Sequence, residues 1–278
     1  MTWRVSRRSR RNPLPGDPLP GFIAVGWALF LGLPVAALIV RAAAVGRLDD
    51  AATGRVVLDA LVLSLVTTAA SLGLAVLFGL PVAWLLARRP PRGAVFLETL
   101  IDLPIVLPPS VAGLALLLVF GRQGVLGGPL TALGFSIPFS TVAVIIAQTF
   151  VAAPFFIRAA RAGLRSVHRD LEDAARVDGG GEVTVALFVT LPLAAPALAA
   201  GLVMAWARAL GEFGATIMFA GNFEGRTQTL PLLVYSEFQA SSDAAVVAAS
   251  ILVVAAFGVL LGVRLARRGS VMELGGTG

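Results

Sequence analysis

The sequence predicts an all-α, polytopic membrane protein with about six transmembrane helices. Three observations carry this. Hydrophobic residues make up 57% of the 278 residues and charged residues only 14%. An ordinary soluble domain has about 25% charged residues, so there is too little charge here to clothe a soluble core of this size. The apolar residues fall in runs close to the roughly 20 residues that a helix needs to cross a bilayer. The 22 basic residues are all arginine, and their density alternates from one connection to the next. The same composition excludes classes of function. With no cysteine there is no disulfide, zinc finger or thiolate chemistry. With His168 as the single histidine there is no clustered-histidine metal site. With no lysine there is neither a Walker A loop nor a Schiff base. No catalytic residue, metal site or cofactor is expected.

The first span is expected over about residues 20–40, after a basic tail at 1–19. Ala42-Ala43-Ala44 follows it, but its apolar run exceeds the roughly 7–15 residues of a cleavable signal, so it is read as a retained span. The others are expected at about 56–87 (long enough to tilt), 100–120, 137–157, 192–220 and 244–263. The transmembrane domain would then cover 20–268, with a charged loop at 158–190 and a short tail at 269–278. Arginine sets the orientation, because cytoplasmic connections attract positive charge. Arg4, Arg7, Arg8, Arg10 and Arg11 lie in the tail, Arg88, Arg89 and Arg92 between the second and third spans, Arg158, Arg161, Arg165, Arg169 and Arg176 in the charged loop, and Arg264, Arg267 and Arg268 after the last span. The opposite side holds only Arg41, Arg47, Arg55, Arg122 and Arg226. Both termini are therefore expected in the cytoplasm. The positive-inside bias already accounts for the basic tail, so no nucleic-acid partner is invoked.

Several spans carry helix breakers. The third contains Pro104, Pro108 and Pro109 in the run Leu103-Pro104-Ile105-Val106-Leu107-Pro108-Pro109-Ser110, the fourth Pro138 and Pro154, and the fifth Pro192 and Pro196. Backbone groups freed by proline inside a bilayer must be satisfied by protein or by a water-filled cavity. The breaks read either as kinks at tight packing sites or as the interior of a bundle around a pathway. Arg208 and Glu212 stand one helical turn apart within the fifth span and can pair. Each alone would cost about 2.5–3.5 kcal/mol at mid-helix. They fit a structural pair that steadies a helix weakened by Gly211 and Gly214, or a position beside the path of a charged solute. Pro108, Pro109, Ser110, Gln148, Arg208, Glu212 and Thr216 are the candidates for a translocation pathway.

In the charged loop, Asp170 is positioned to cap a short helix, Leu171, Ala174 and Ala175 share one face, and Gly179 to Gly181 stop it. So slim and alanine-rich a face suits a protein groove better than a lipid surface.

The loop also resembles the cytoplasmic signature of ABC-importer membrane subunits: Glu-Ala-Ala, three residues, Gly, nine residues, Ile, one residue, Leu-Pro. Here the pattern reads Asp173-Ala174-Ala175, Gly179, then Val189, Thr190, Leu191 and Pro192, with Asp for Glu and Val for Ile. A second stretch, Arg208-Ala209-Leu210-Gly211-Glu212-Phe213-Gly214-Ala215-Thr216-Ile217, then Gly221-Asn222 and Arg226 to Pro231, is similar to the molybdate/tungstate permease subunits, with sulfate permeases as relatives. The Leu107 to Gly113 run fits the same group, and the likeness extends over about 56–263.

The resemblance implies an ABC-importer permease fold with cytoplasmic coupling helices. It implies a homodimer in a prokaryotic plasma membrane, two separate ATPase subunits and an extracytoplasmic oxyanion-binding protein. Leu171, Asp173, Ala174, Ala175, Gly179, Val189, Leu191 and Pro192 would then couple to the ATPase. Transport would run by alternating access, most simply of molybdate, with tungstate and sulfate as alternatives. An ion-coupled secondary transporter with Glu212 as coupling carboxylate would want an internal repeat, and it would leave the loop unexplained. An intramembrane serine protease needs a histidine at membrane depth, and His168 lies in the loop.

Overall fold

The computed structural model describes residues 18–45, 51–240 and 242–275, so the basic N-terminal tail and Arg47 lie outside the described residues. All the elements described are helices. Helix α1 (Pro18–Val45) belongs to a unit of its own, separate from the body formed by the rest of the chain. In that body follow α2 (Ala51–Arg88), α3 (Ala94–Val106), α4 (Pro109–Phe120), α5 (Gly127–Ala132), α6 (Thr141–Ser166), α7 (Arg169–Val177), α8 (Glu182–Val185), a π-helical turn (Ala186–Thr190), α9 (Leu191–Leu210), α10 (Gly214–Ala220), α11 (Leu230–Ala240) and α12 (Ser242–Gly275). Among the described residues, five helices are long and apolar enough to cross a membrane, or six if the bent pair α3–α4 forms one span.

Small residues let the long helices meet. On α2 the ridge Ala60, Ser64, Thr67, Ser71, Ala75 and Ala83 is buried. At Gly79 an added Cβ would lie 2.9 Å from Ile157 on α6. Between α6 and α9, a Cβ on Gly163 would meet Ala197 at 2.4 Å, and one on Gly201 would meet Ala159 at 2.7 Å. Ala159/Gly163 and Ala197/Gly201 thus form facing small-xxx-small pairs, the device that brings helix backbones close where lipid supplies no hydrophobic drive. Polar side chains tie the layers: Ser71 Oγ donates to Gln148 Oε1 (3.1 Å), and Leu230 N–H donates to Ser64 Oγ (2.8 Å), fixing α11 to α2.

The structure redraws several expected boundaries. The third span is two helices meeting at 116°. Leu107 and Pro108 are extended (ψ 134° and 135°), as the residue before a proline prefers, and Pro109 starts α4 at the position where proline lacks nothing. The fourth span starts after Pro138, with Ser140 Oγ capping Ala143 N–H (3.3 Å), and it runs on to Ser166. Arg158, Arg161 and Arg165, expected in a loop, instead stand on α6 and pair with Asp102 and Glu98 of α3. The fifth span begins at Glu182 rather than Pro192 and ends at Leu210. The π turn lies just before Pro192, where a regular α ladder would lack the proline N–H. Helix α12 continues to Gly275, past the expected end at 263.

Candidate functional site

Two features stand out, one at the helix breaks and one at the arginine-rich end.

At the breaks, α4 crosses α10. A Cβ on Gly113 would lie 2.6 Å from the Ala215 carbonyl oxygen, and one on Gly214 would lie 2.5 Å from Pro109 Cβ. The two interruptions, Leu107–Pro108 and Gly211–Phe213, are thereby brought side by side. Pro108, Pro109 and Ser110 are exposed there. So are Met204, Ala207, Gly211 and Met218 along α9 and α10.

Arg208 and Glu212 bridge the second break. Arg208 Nη1 lies 2.6 Å from Glu212 Oε2, with the guanidinium side chain 28% exposed and the carboxylate 1%. The other carboxylate oxygen accepts the Ala215 N–H at 2.7 Å. Glu212 therefore does what a capping side chain does, satisfying a first-turn donor of α10 and placing negative charge at a helix N-terminus. Gln148 and Thr216, also expected at the pathway, are buried behind this surface at 1% and 0% exposure. Gln148 turns toward Ser71 of α2.

At the other end, α7 is bolted to the ends of two long helices. Glu172 is buried, at 4% exposure. It meets Arg88, the last residue of α2, at 2.5 Å and accepts the Thr190 hydroxyl proton at 2.7 Å. Arg88 also donates to the Val167 carbonyl, at 3.3 Å from Nη2. Arg165 donates to the Leu86 carbonyl (3.0 Å) and Arg169 to the Arg88 carbonyl (3.5 Å), satisfying last-turn acceptors of α2. Arg176 bonds Asp173 (2.6 Å) and Glu182 (3.1 Å). Desolvation works against the charge of Arg176, but the bonds to Glu182 and Asp173 outweigh it and hold the guanidinium above its ordinary pKa.

The cap expected at Asp170 is not formed: the N-cap position falls two residues earlier, at His168, with no side-chain cap, and Asp170 lies in the first turn. Gly179 does stop the helix, at φ 92°. Leu171, Ala174 and Val177 face outward, while Ala175 is half-buried on the Glu172 side. Val189 sits in the π turn, and Leu191 and Pro192 open α9, with Pro192 exposed. Asp173 is exposed on α7.

Sequence reasoning missed Glu172, Arg88 and Thr190. The available signal was a glutamate directly before the Asp-Ala-Ala run, on the opposite side of the helix from Leu171 and Ala174.

The sequence signature of binding-protein-dependent transport system inner membrane components matches residues 75–268. The chain belongs to that family. Within this transport family, it is 44% identical over 252 residues to the molybdenum transport system permease protein ModB of Mycobacterium tuberculosis, covering 90% of this chain and 95% of that one. It is 33% identical over 236 residues to the "Probable sulfate transport system permease protein cysT" of Anthoceros angustus, covering 84% and 82%. A solved bacterial ABC transporter involved in import of the acidic polysaccharide alginate shares the fold, with TM-score 0.65, 20% identity, and coverage of 90% and 94%. As a family member, this chain is a multi-pass inner membrane transport component.

Proposed function

We propose that this chain is the permease subunit of an ATP-driven molybdate importer, working as a homodimer with two ATPase subunits and an extracytoplasmic binding protein. Likeness to ModB along nearly the whole chain supports the substrate. The observation that carries the mechanism is the mounting of α7. Its outer face of Leu171, Ala174 and Val177 is open, while its inner face is tied by Glu172 to the end of α2 and to the turn that starts α9. A partner that grips the outer face moves two long helices at once.

In this reading Asp173, Ala174, Ala175 and Gly179 form the docking end, and Val189, Leu191 and Pro192 pass its motion into α9. The broken helices meet the second copy. Pro108, Pro109, Ser110 and Arg208 would line the pathway, with Glu212, Gln148 and Thr216 holding it from behind. Exposed Ser110, Ala207 and Gly211 beside interrupted backbone fit a water-filled path better than a lipid face. Both termini and the α7 end face the cytoplasm.

The test is reconstitution of this chain with its ATPase and binding protein in vesicles. Molybdate uptake is expected only with ATP on the α7 side. Uptake driven by a proton or sodium gradient, without the ATPase, would refute the reading.

A further inference from the structure

Arginines on the outer side run against the positive-inside bias, yet two of them converge. Arg122 and Arg226 line one cavity of about 710 Å³, together with Leu117, Leu118, Gln123, Ser136 and Phe139 among others. Among the described residues that line it, these arginines are the charged ones; Glu224, two residues from Arg226, is exposed in the same loop.

The walls are fixed. Thr141 Oγ1 donates to the Arg226 carbonyl at 2.8 Å, which seats that loop on the start of α6. Phe139 is held at φ 60°, a left-handed conformation that costs a bulky residue energy. Its N–H donates to the Phe219 carbonyl (3.3 Å), and its ring stands edge-on to Phe223 at 6.2 Å.

The cavity is also placed on the route. Helix α4 runs from the break at Pro109 to Phe120, just before Arg122. Its 12 residues correspond to about 18 Å at 1.5 Å per residue. Helix α10 runs from the other break to Ala220, beside Phe139.

We propose that this cavity is the outer receiving station for the transported oxyanion. Arg122 and Arg226 hold a hydrated tetrahedral dianion loosely, between its release outside and its passage to the helix breaks. The proposal rests on the importer reading above and adds a site to it. A roomy site with exposed guanidinium groups suits transit, which needs binding weak enough to let go. A cleft lined by one sign of charge raises the local concentration of the opposite ion and its on-rate by about 10–10³-fold, an effect that salt removes.

The experiment uses the full reconstituted complex and molybdate as the probe. It measures uptake at saturating binding protein, at low and high ionic strength, alongside ATP hydrolysis stimulated by binding protein. Arg122→Gln/Arg226→Gln should lower uptake at low salt about tenfold, with a smaller loss at high salt. Arg122→Lys/Arg226→Lys should restore most of it. The binding-protein concentration giving half-maximal hydrolysis should stay unchanged. Unchanged uptake in the Gln double variant would overturn the station. So would a rise in that half-maximal concentration matching the loss of uptake, because the arginines would then be docking acidic groups of the binding protein. A wild-type complex with no ATP-driven molybdate uptake would instead sink the importer reading itself.

Discussion

At the scale of single residues, two buried carboxylates carry most of the electrostatic risk. Glu212 is 1% exposed and has two partners, the Arg208 guanidinium and the Ala215 N–H. Removing one member of a buried pair leaves an uncompensated charge, at a cost of about 3–5 kcal/mol, whereas removing both costs far less. Arg208→Ala should therefore lower the melting temperature of the detergent-solubilised protein sharply, and Arg208→Ala/Glu212→Gln should recover much of the loss. Strict additivity of the two changes would show that the residues act independently. Glu172 obeys the same physics at the other end, where it joins three segments. Glu172→Ala strands Arg88, whose side chain is 9% exposed. It should destabilise the α7 end by about 3–5 kcal/mol, read as faster hydrogen exchange in 167–191. Glu172→Leu/Arg88→Leu should largely restore protection. Exchange in the single variant equal to wild type would exclude the bolt.

At the scale of elements, close crossings and an open helix face make the predictions. Gly214→Ala puts a Cβ 2.5 Å from Pro109 Cβ, both on rigid backbone. The α4–α10 crossing must then open, at about 1–3 kcal/mol. Uptake should fall while the ATPase subunits stay bound, and a crossing that tolerates the change with normal uptake would show that the breaks need not touch. On α7, Ala174 is exposed on the outer face. Ala174→Arg should leave membrane insertion intact and release the ATPase, measured as its loss on co-purification; a variant that keeps its ATPase and transports normally would refute docking through this face.

The elements also show where sequence reasoning reaches and where it stops. The long apolar runs announced α1, α2, α6, α9 and α12, because lipid demands continuous apolar surface. Pro108 and Pro109 marked the third span as interrupted, but the split into two helices at 116° rests on the extended backbone of Leu107 and Pro108, which hydropathy does not register. Three arginines on α6 read as a loop because charge usually means water. Their partners Glu98 and Asp102 lie about 60 residues away in sequence, and no local pattern pairs them. The split between α9 and α10 had its signal in Gly211 and Gly214, but a hydropathy run passes straight through such a break. The role of Glu172 was invisible for the same reason as the α6 pairs: its partners Arg88 and Thr190 come from distant segments of the chain.

At the scale of the whole molecule, α6 is the ruler. It is capped at Ser140, beside Pro138 and Phe139 of the arginine-lined cavity, and it ends at Ser166, beside Val167 and the α7 bolt. Its 26 residues correspond to about 39 Å at 1.5 Å per residue, more than the roughly 30 Å of bilayer hydrocarbon. The cavity and the bolt thus stand at opposite ends of a helix long and apolar enough to cross the bilayer. In the proposed reading, the arginine bias puts the α7 side in the cytoplasm. Any motion imposed on α7 then has a stiff route outward, since Glu172 ties it to α2 and to the start of α9, and both pack along α6. The orientation can be tested cleanly, because the chain has no cysteine. Gln123 and Ser166 are both exposed, one at each end. In intact cells a membrane-impermeant thiol reagent should label Gln123→Cys from outside and leave Ser166→Cys unlabelled until the membrane is permeabilised. The reverse pattern would invert the molecule, putting the bolt outside, where no ATPase could reach it, and the coupling assignment would fall with the topology.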